Sequence, residues 1–151
     1  MNKNNEFTLM SISPIDGRYS HQIDQEIKKI NSEYGLIKYR VHVEVSWFIF
    51  LLSLAPIKKK FGINKNEKDY LIKISKNFSL KDALKIKEIE KKINHDVKSV
   101  EYFLKSKFEK HKTLKNKKEL IHFCATSEDI NNISYALMYS DSRKILLKKL
   151  N

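Results

Sequence analysis

Apolar side chains along this chain recur at helical rather than alternating intervals. Ile23, Ile27 and Ile30 fall three and four residues apart, which predicts a short helix over residues 22–30. From 33 to 54 the apolar positions are denser and include Trp47 and the run 48–52, so this second helix is expected to be buried over much of its surface, with Pro56 ending it. Residues 58–66 read as a basic, glycine-containing connector, and 67–77 as a third helix with Tyr70, Leu71 and Ile74 on one side. Ser79 with Asp82 three residues later has the form of a capping box, opening a fourth helix over 80–92. Asn94, a residue that caps helix starts well, is expected to open a fifth helix over 95–108 with Val97, Val100 and Leu104 turned inward. A second basic connector (109–118) and a short apolar piece (120–125) lead to Thr126-Ser127-Glu128-Asp129, again a helix start. From there a long helix runs to the end, with Ile130, Ile133, Leu137, Ile145 and Leu146 among its apolar residues. Residues 1–20 carry no helical period and, with the turn signal Pro14-Ile15-Asp16-Gly17, read as a loop or tail.

Composition agrees with an all-α fold. Three Gly and two Pro among 151 residues are too few for the tight turns of a many-stranded sandwich or barrel, while 41% hydrophobic residues supply a core. The second basic connector is the expected boundary between a helical domain over 1–115 and the start of another over 116–151. The single cysteine, Cys124, excludes an intramolecular disulfide and fits a reducing compartment; it is expected to be a small buried hydrophobe. The N-terminus lacks the apolar run of a secretory signal, and the most apolar segment, 45–55, is far shorter than the roughly 20 residues of a bilayer span, so a cytoplasmic protein with no membrane partner is expected.

Lys and Arg outnumber Asp and Glu by 30 to 18, a net charge of +12. Lysines near phosphates would bind nucleic acid by counterion release. The lysines, however, are spread along the whole chain, Arg is confined to Arg18, Arg40 and Arg143, and Ile and Asn are abundant. Codon bias in an AT-rich genome accounts for that composition, and no nucleic-acid partner is expected.

No phosphate loop, metal-ligand spacing or nucleophile elbow occurs. Three polar clusters carry what chemistry the pattern offers. Arg18-Tyr19 pairs a guanidinium, which grips phosphate or carboxylate bidentately, with a phenol; it could equally be a solvated turn. Asn94-His95-Asp96 sets an imidazole between an amide and a carboxylate at a helix start, where free N–H groups favour anions; a plain cap with a surface histidine is the alternative. Thr126-Ser127 gives two hydroxyls at another helix start, again either an anion site or simple capping.

The flanks of these clusters decide between the readings. Ser13-Pro14-Ile15-Asp16-Gly17-Arg18-Tyr19, the stretch from Ser32-Glu33-Tyr34-Gly35 to Tyr39-Arg40-Val41, Asn94-His95-Asp96-Val97-Lys98-Ser99-Val100 and Ile121-His122-Phe123-Cys124-Ala125-Thr126-Ser127-Glu128-Asp129-Ile130-Asn131-Asn132 together resemble the amino-terminal third of the bacterial adenylosuccinate lyases, collinearly over about 9–147. The resemblance implies an N-terminal helical domain followed by the first long helix of a central helical bundle. It also implies a homotetramer that eliminates fumarate from adenylosuccinate and from the succinyl-carboxamide ribonucleotide of purine synthesis, with no cofactor. Carried over residue by residue, Arg18, Tyr19, Asn94, His95, Asp96, Thr126 and Ser127 would bind substrate, Arg18 as phosphate partner and Thr126-Ser127 at the succinyl end. The family's acid, a histidine, and its base, a serine in a Ser-Ser-x-Met-Pro loop, are expected beyond Asn151, so this chain alone is expected to be inactive. Two other readings stand beside this one: a non-catalytic helical remnant that binds other chains through its last helix, and a basic module that binds RNA.

Overall fold

The computed structural model describes residues 3–13 and 16–150, and among them finds helices and no strand. In chain order the helices are α1 (Lys3–Met10), α2 (Asp16–Tyr19), α3 (Gln25–Asn31), α4 (Glu33–Leu51), α5 (Ala55–Phe61), α6 (Lys65–Lys76), α7 (Leu80–Ile93), α8 (Asp96–Phe108) and α9 (Ser127–Leu150), with a 3₁₀ segment over Leu114–Leu120 between the last two. The all-α expectation therefore holds.

Three local expectations are corrected. The first twenty residues are not a plain loop: α1 and α2 form there, and Leu9 of α1 is buried in the core. A period is hard to see in so short a helix, whose side contacts, not its sequence, hold it. Pro14 and Ile15 lie outside the described residues. Second, Pro56 does not end α4, which stops at Leu51; it sits in the first turn of α5, where its missing N–H costs nothing because that turn has no intrahelical acceptor to offer. The expected connector over 58–66 is thus partly helix, set at 90° to α4. Third, Asn94 does not open α8. It closes α7 in the left-handed region at φ 53°, donating its N–H to the Glu90 carbonyl, and His95 takes the N-cap. Asparagine tolerates that conformation better than most non-glycine residues.

Helix α4 is the spine. Its apolar residues surround it, so it is covered on several sides at once, by α9, α3, α6, α8, α7 and α1. One face, Ile37, Val41, Val45 and Phe48, meets Leu71 of α6, Ala83 and Ile86 of α7 and Val100, Phe103, Leu104 and Phe108 of α8. The Phe48 and Phe108 rings stand edge to face with centroids 5.0 Å apart. The inward turn of Val97, Val100 and Leu104 is as expected. Another face presents Val43, which packs with Val97 of α8 and Ile130 of α9 in a second, smaller cluster.

The α3–α4 junction is tight. A Cβ on Gly35 would come within 2.0 Å of the Ile30 carbonyl oxygen, so only glycine lets the two helices turn into each other there. Helix α9 then lies along α3 and α4. Tyr39 donates to Asp141 at 2.7 Å and Asn31 to Ser142 at 2.7 Å, and the buried row of α9 is Ile130, Ser134, Met138 and Ser142. Its opposite side leaves Ile133, Tyr139, Leu146 and Leu147 exposed. Between α8 and α9, Lys117 donates to the Gly62 carbonyl and to both oxygens of buried Glu67, holding the 3₁₀ segment against α6. No single helix among the described residues is long and apolar enough to cross a membrane.

Candidate active site

The first candidate cluster is built by α2. Asp16 is buried and accepts the backbone N–H groups of Ser13 and Ile12, each at 2.6 Å, with Lys28 of α3 3.4 Å away. The Ser13 amide above all, then those of Ile12 and the Lys28 ammonium, hold its carboxyl below the ordinary range against the effect of burial. This anchor leaves Arg18 and Tyr19 on the surface, the guanidinium 5.3 Å from the Tyr19 ring centre. No carboxylate pairs with Arg18 among the described residues. An exposed, unpaired guanidinium is free to take an anion.

The second cluster opens α8. His95 is in extended backbone, and its Nδ1 accepts the Lys98 N–H at 3.2 Å, which leaves Nε2 as the ring's outward nitrogen. One oxygen of Asp96 accepts the Val97 N–H at 2.8 Å, and the other accepts from the Arg40 guanidinium at 2.5 Å. Partial burial pushes the Asp96 carboxyl up, but the Val97 amide and the Arg40 charge outweigh it and hold it below the ordinary range. Asp96 is therefore an ionised anchor.

The third cluster opens α9 after a constrained turn. His122 and Cys124 both adopt left-handed backbone, at φ 62° and 57°, an uncommon state for residues with a Cβ. Three contacts secure the turn: His122 Nδ1 lies 2.6 Å from Glu44, the Trp47 indole N–H donates to the Phe123 carbonyl at 2.8 Å, and Ala125 N–H donates to the His122 carbonyl at 3.2 Å. Cys124 is exposed, which corrects the expectation of a buried hydrophobe: the left-handed kink turns it outward. Thr126 and Asp129 then close the expected box. The Thr126 N–H and hydroxyl both donate to the Asp129 carboxylate, at 2.8 and 2.7 Å, and the Asp129 N–H returns to the Thr126 hydroxyl at 3.2 Å. Ser127, half-buried, is the first residue of α9.

The second and third clusters are brought together. Arg40 of α4, 7% exposed, reaches Asp96 with one nitrogen and the Asn131 side-chain oxygen of α9 with another, at 2.9 Å, while Val43 packs beneath both helix starts. Arg18 and Tyr19 make no hydrogen bond or ion pair with either start among the described residues. Sequence reasoning missed Arg40, Asn131, Glu44 and His122. The available signal was a pair of charged residues one turn apart, Arg40 and Glu44, interleaved with Val41, Val43 and Val45. Two shallow depressions adjoin the α9 start, one of about 240 Å³ over Val43, Trp47, Cys124 and Ile130 and one of about 360 Å³ over His42, Trp47, Phe50 and Leu137. No group of three or more His, Cys, Asp or Glu side chains fit to hold a metal occurs among the described residues.

The model of the lyase family matches residues 17–151, nearly the whole chain and all seven candidate residues. The chain belongs to the lyase family. Among curated relatives, this lyase chain is similar to the adenylosuccinate lyase of Buchnera aphidicola subsp. Acyrthosiphon pisum, 46% identical over 141 residues, covering 93% of the chain and 31% of the relative. It is 48% identical over 136 residues to that of Haemophilus influenzae and 47% identical over 136 residues to that of Escherichia coli K12, covering 90% of the chain and 30% of each relative. The lyase chain thus spans about three-tenths of the length of these relatives and matches their amino-terminal part.

Proposed function

We propose that this lyase chain is the amino-terminal, substrate-binding part of an adenylosuccinate lyase, a carbon–nitrogen lyase that eliminates fumarate from adenylosuccinate and from the succinyl-carboxamide ribonucleotide. The observation that carries the reading is the 46% identity to an adenylosuccinate lyase across a stretch that includes all three polar clusters. The chemistry of the clusters supports it. The substrates carry a phosphate and two carboxylates, and the chain offers an exposed guanidinium with no carboxylate partner among the described residues, the outward edge of His95, and the start of α9 with Thr126 and Ser127. Arg18 takes the phosphate, with Tyr19 donating beside it. The N-terminus of α9, with Thr126 and Ser127, takes the succinyl end. Asn94, His95 and Asp96 line the space between. The Nε2 edge of His95 orients a substrate oxygen or relays a proton.

Elimination needs a base for the succinyl carbon, stabilisation of the resulting carbanion as its carboxylate, and an acid for the departing nitrogen. In this reading α9 contributes to the second, and segments of the family absent from this sequence supply the acid and the base. The exposed apolar side of α9 supports assembly with further copies of the chain, as a homotetramer requires.

The test is complementation. The chain is mixed with the part of the Escherichia coli relative that it does not match, and loss of adenylosuccinate is followed with time. The expected result is activity in the mixture and in neither part alone, falling about 100-fold with Arg18→Ala, the scale of a lost charge-assisted contact. Two folded parts that remain inactive together would count against the reading.

A further inference from the structure

Arg40 is a buried cation in the middle of an apolar helix, and a guanidinium there is retained only if its donors are satisfied. Two of them go to two elements that have no other polar tie between their first turns among the described residues: Nη2 to Asp96, which begins α8, at 2.5 Å, and Nε to Asn131 in the first turns of α9, at 2.9 Å. The partners lie 56 and 91 residues away in sequence, so a single planar group sets the spacing of two helix N-termini. The fork is rigid, and its two donors diverge at a fixed angle, so neither helix start can slide or rotate without breaking a charge-assisted bond. From this geometry we infer that Arg40 is a positioning residue that holds the α8 and α9 starts, and with them the candidate residues His95, Thr126 and Ser127, as one unit, with Asp96 as its anchor on α8. Substrate is met by the outward edge of His95 and by Thr126 and Ser127. The inference rests on the function proposed above for the site, and deepens it.

The experiment reads fold and binding separately in the 151-residue chain. Hydrogen exchange of the Ser99 and Ile130 amides, which make early helical bonds to the His95 and Thr126 carbonyls, reports on the two helix starts. Affinity for adenylosuccinate, measured by calorimetry, reports on the unit. In Arg40→Gln both amides are expected to exchange faster together, by about 10-fold or more, while amides in α6 and α7 keep the wild-type rate, and affinity falls by a similar factor. Arg40→Lys keeps a charge for Asp96 but loses the fork, and is expected to recover the Ser99 amide and not the Ile130 amide. Unchanged exchange and affinity in Arg40→Gln, or full recovery of both amides by Lys, would overturn the inference. Should Arg40→Gln fail to fold, Asn131→Ala leaves the Arg40–Asp96 ion pair intact; it is expected to release the Ile130 amide and weaken binding several-fold, and a wild-type result overturns the inference equally. A wild-type chain that binds no adenylosuccinate refutes the proposed function, and the exchange data alone then decide whether the two starts are coupled through Arg40.

Discussion

At the scale of single residues, Glu44 and Gly35 of α4 show how burial sets behaviour. Burial raises the Glu44 carboxyl, and the His122 imidazole pulls it down without cancelling the rise. The folded chain therefore keeps this proton to higher pH than the unfolded chain, and stability is lost as pH climbs from the ordinary carboxylate value through the raised one. Glu44→Gln removes the titration while keeping an acceptor for His122. Its urea midpoint is expected to gain on the wild type between about pH 5 and about pH 8, and an equal difference at both pH values would contradict the assignment. Gly35 makes a steric prediction of the opposite kind. Gly35→Ala forces a methyl into the Ile30 carbonyl and should cost about 3 kcal/mol or more in denaturant titration. Gly17→Ala, where a Cβ meets nothing within 4 Å, should change stability by under about 0.5 kcal/mol. None of these was legible in the sequence. The closeness of Ile30 to Gly35, or of Glu44 to His122 78 residues on, exists only once the helices have packed.

Among the elements, two helix starts were legible from their Ser/Thr and Asp spacing, whereas the like box of Asn64 with Glu67 at the start of α6 lay hidden in the expected connector. Ser79 with Asp82 and Thr126 with Asp129 form their boxes as the spacing requires, because both partners lie within one turn. What failed were signals with two meanings. Proline stops a helix from inside but suits a helix's first turn, and Pro56 does the second. Asparagine suits either end, and Asn94 closes α7 with the next helix two residues away. The two boxes also separate capping from binding. Ser79→Ala and Thr126→Ala each remove one capping bond and should each cost about 1 kcal/mol in thermal unfolding. Only Thr126→Ala should also weaken adenylosuccinate affinity; equal affinities in the two variants would reduce Thr126 to a cap. In the core, Phe48→Ala empties the centre of the α4–α8 contact and should cost about 3–5 kcal/mol, read from the urea midpoint.

For the whole molecule, the all-α architecture was legible because scarce glycine and proline and helical apolar spacing agree along the entire length. The side of α9 that stays open was not, since periodicity marks apolar positions without saying which of them find cover. Ile133 and Leu146 stay half exposed, while two serines, Ser134 and Ser142, are buried in their place against α3 and α4. Sedimentation equilibrium should therefore show association that rises with protein concentration at fixed salt, and Tyr139→Lys with Leu146→Lys should suppress it. A monomer at all concentrations would show that this face needs no partner. The same architecture contains its own optical gauge. Trp47 is the only tryptophan of the chain, and its indole is tied to the kinked turn that leads into α9. Its fluorescence reports that one junction and no other. When emission changes ahead of circular dichroism during unfolding, or on addition of a nucleotide, the light comes from the α9 doorway opening or closing while the helical body stays folded.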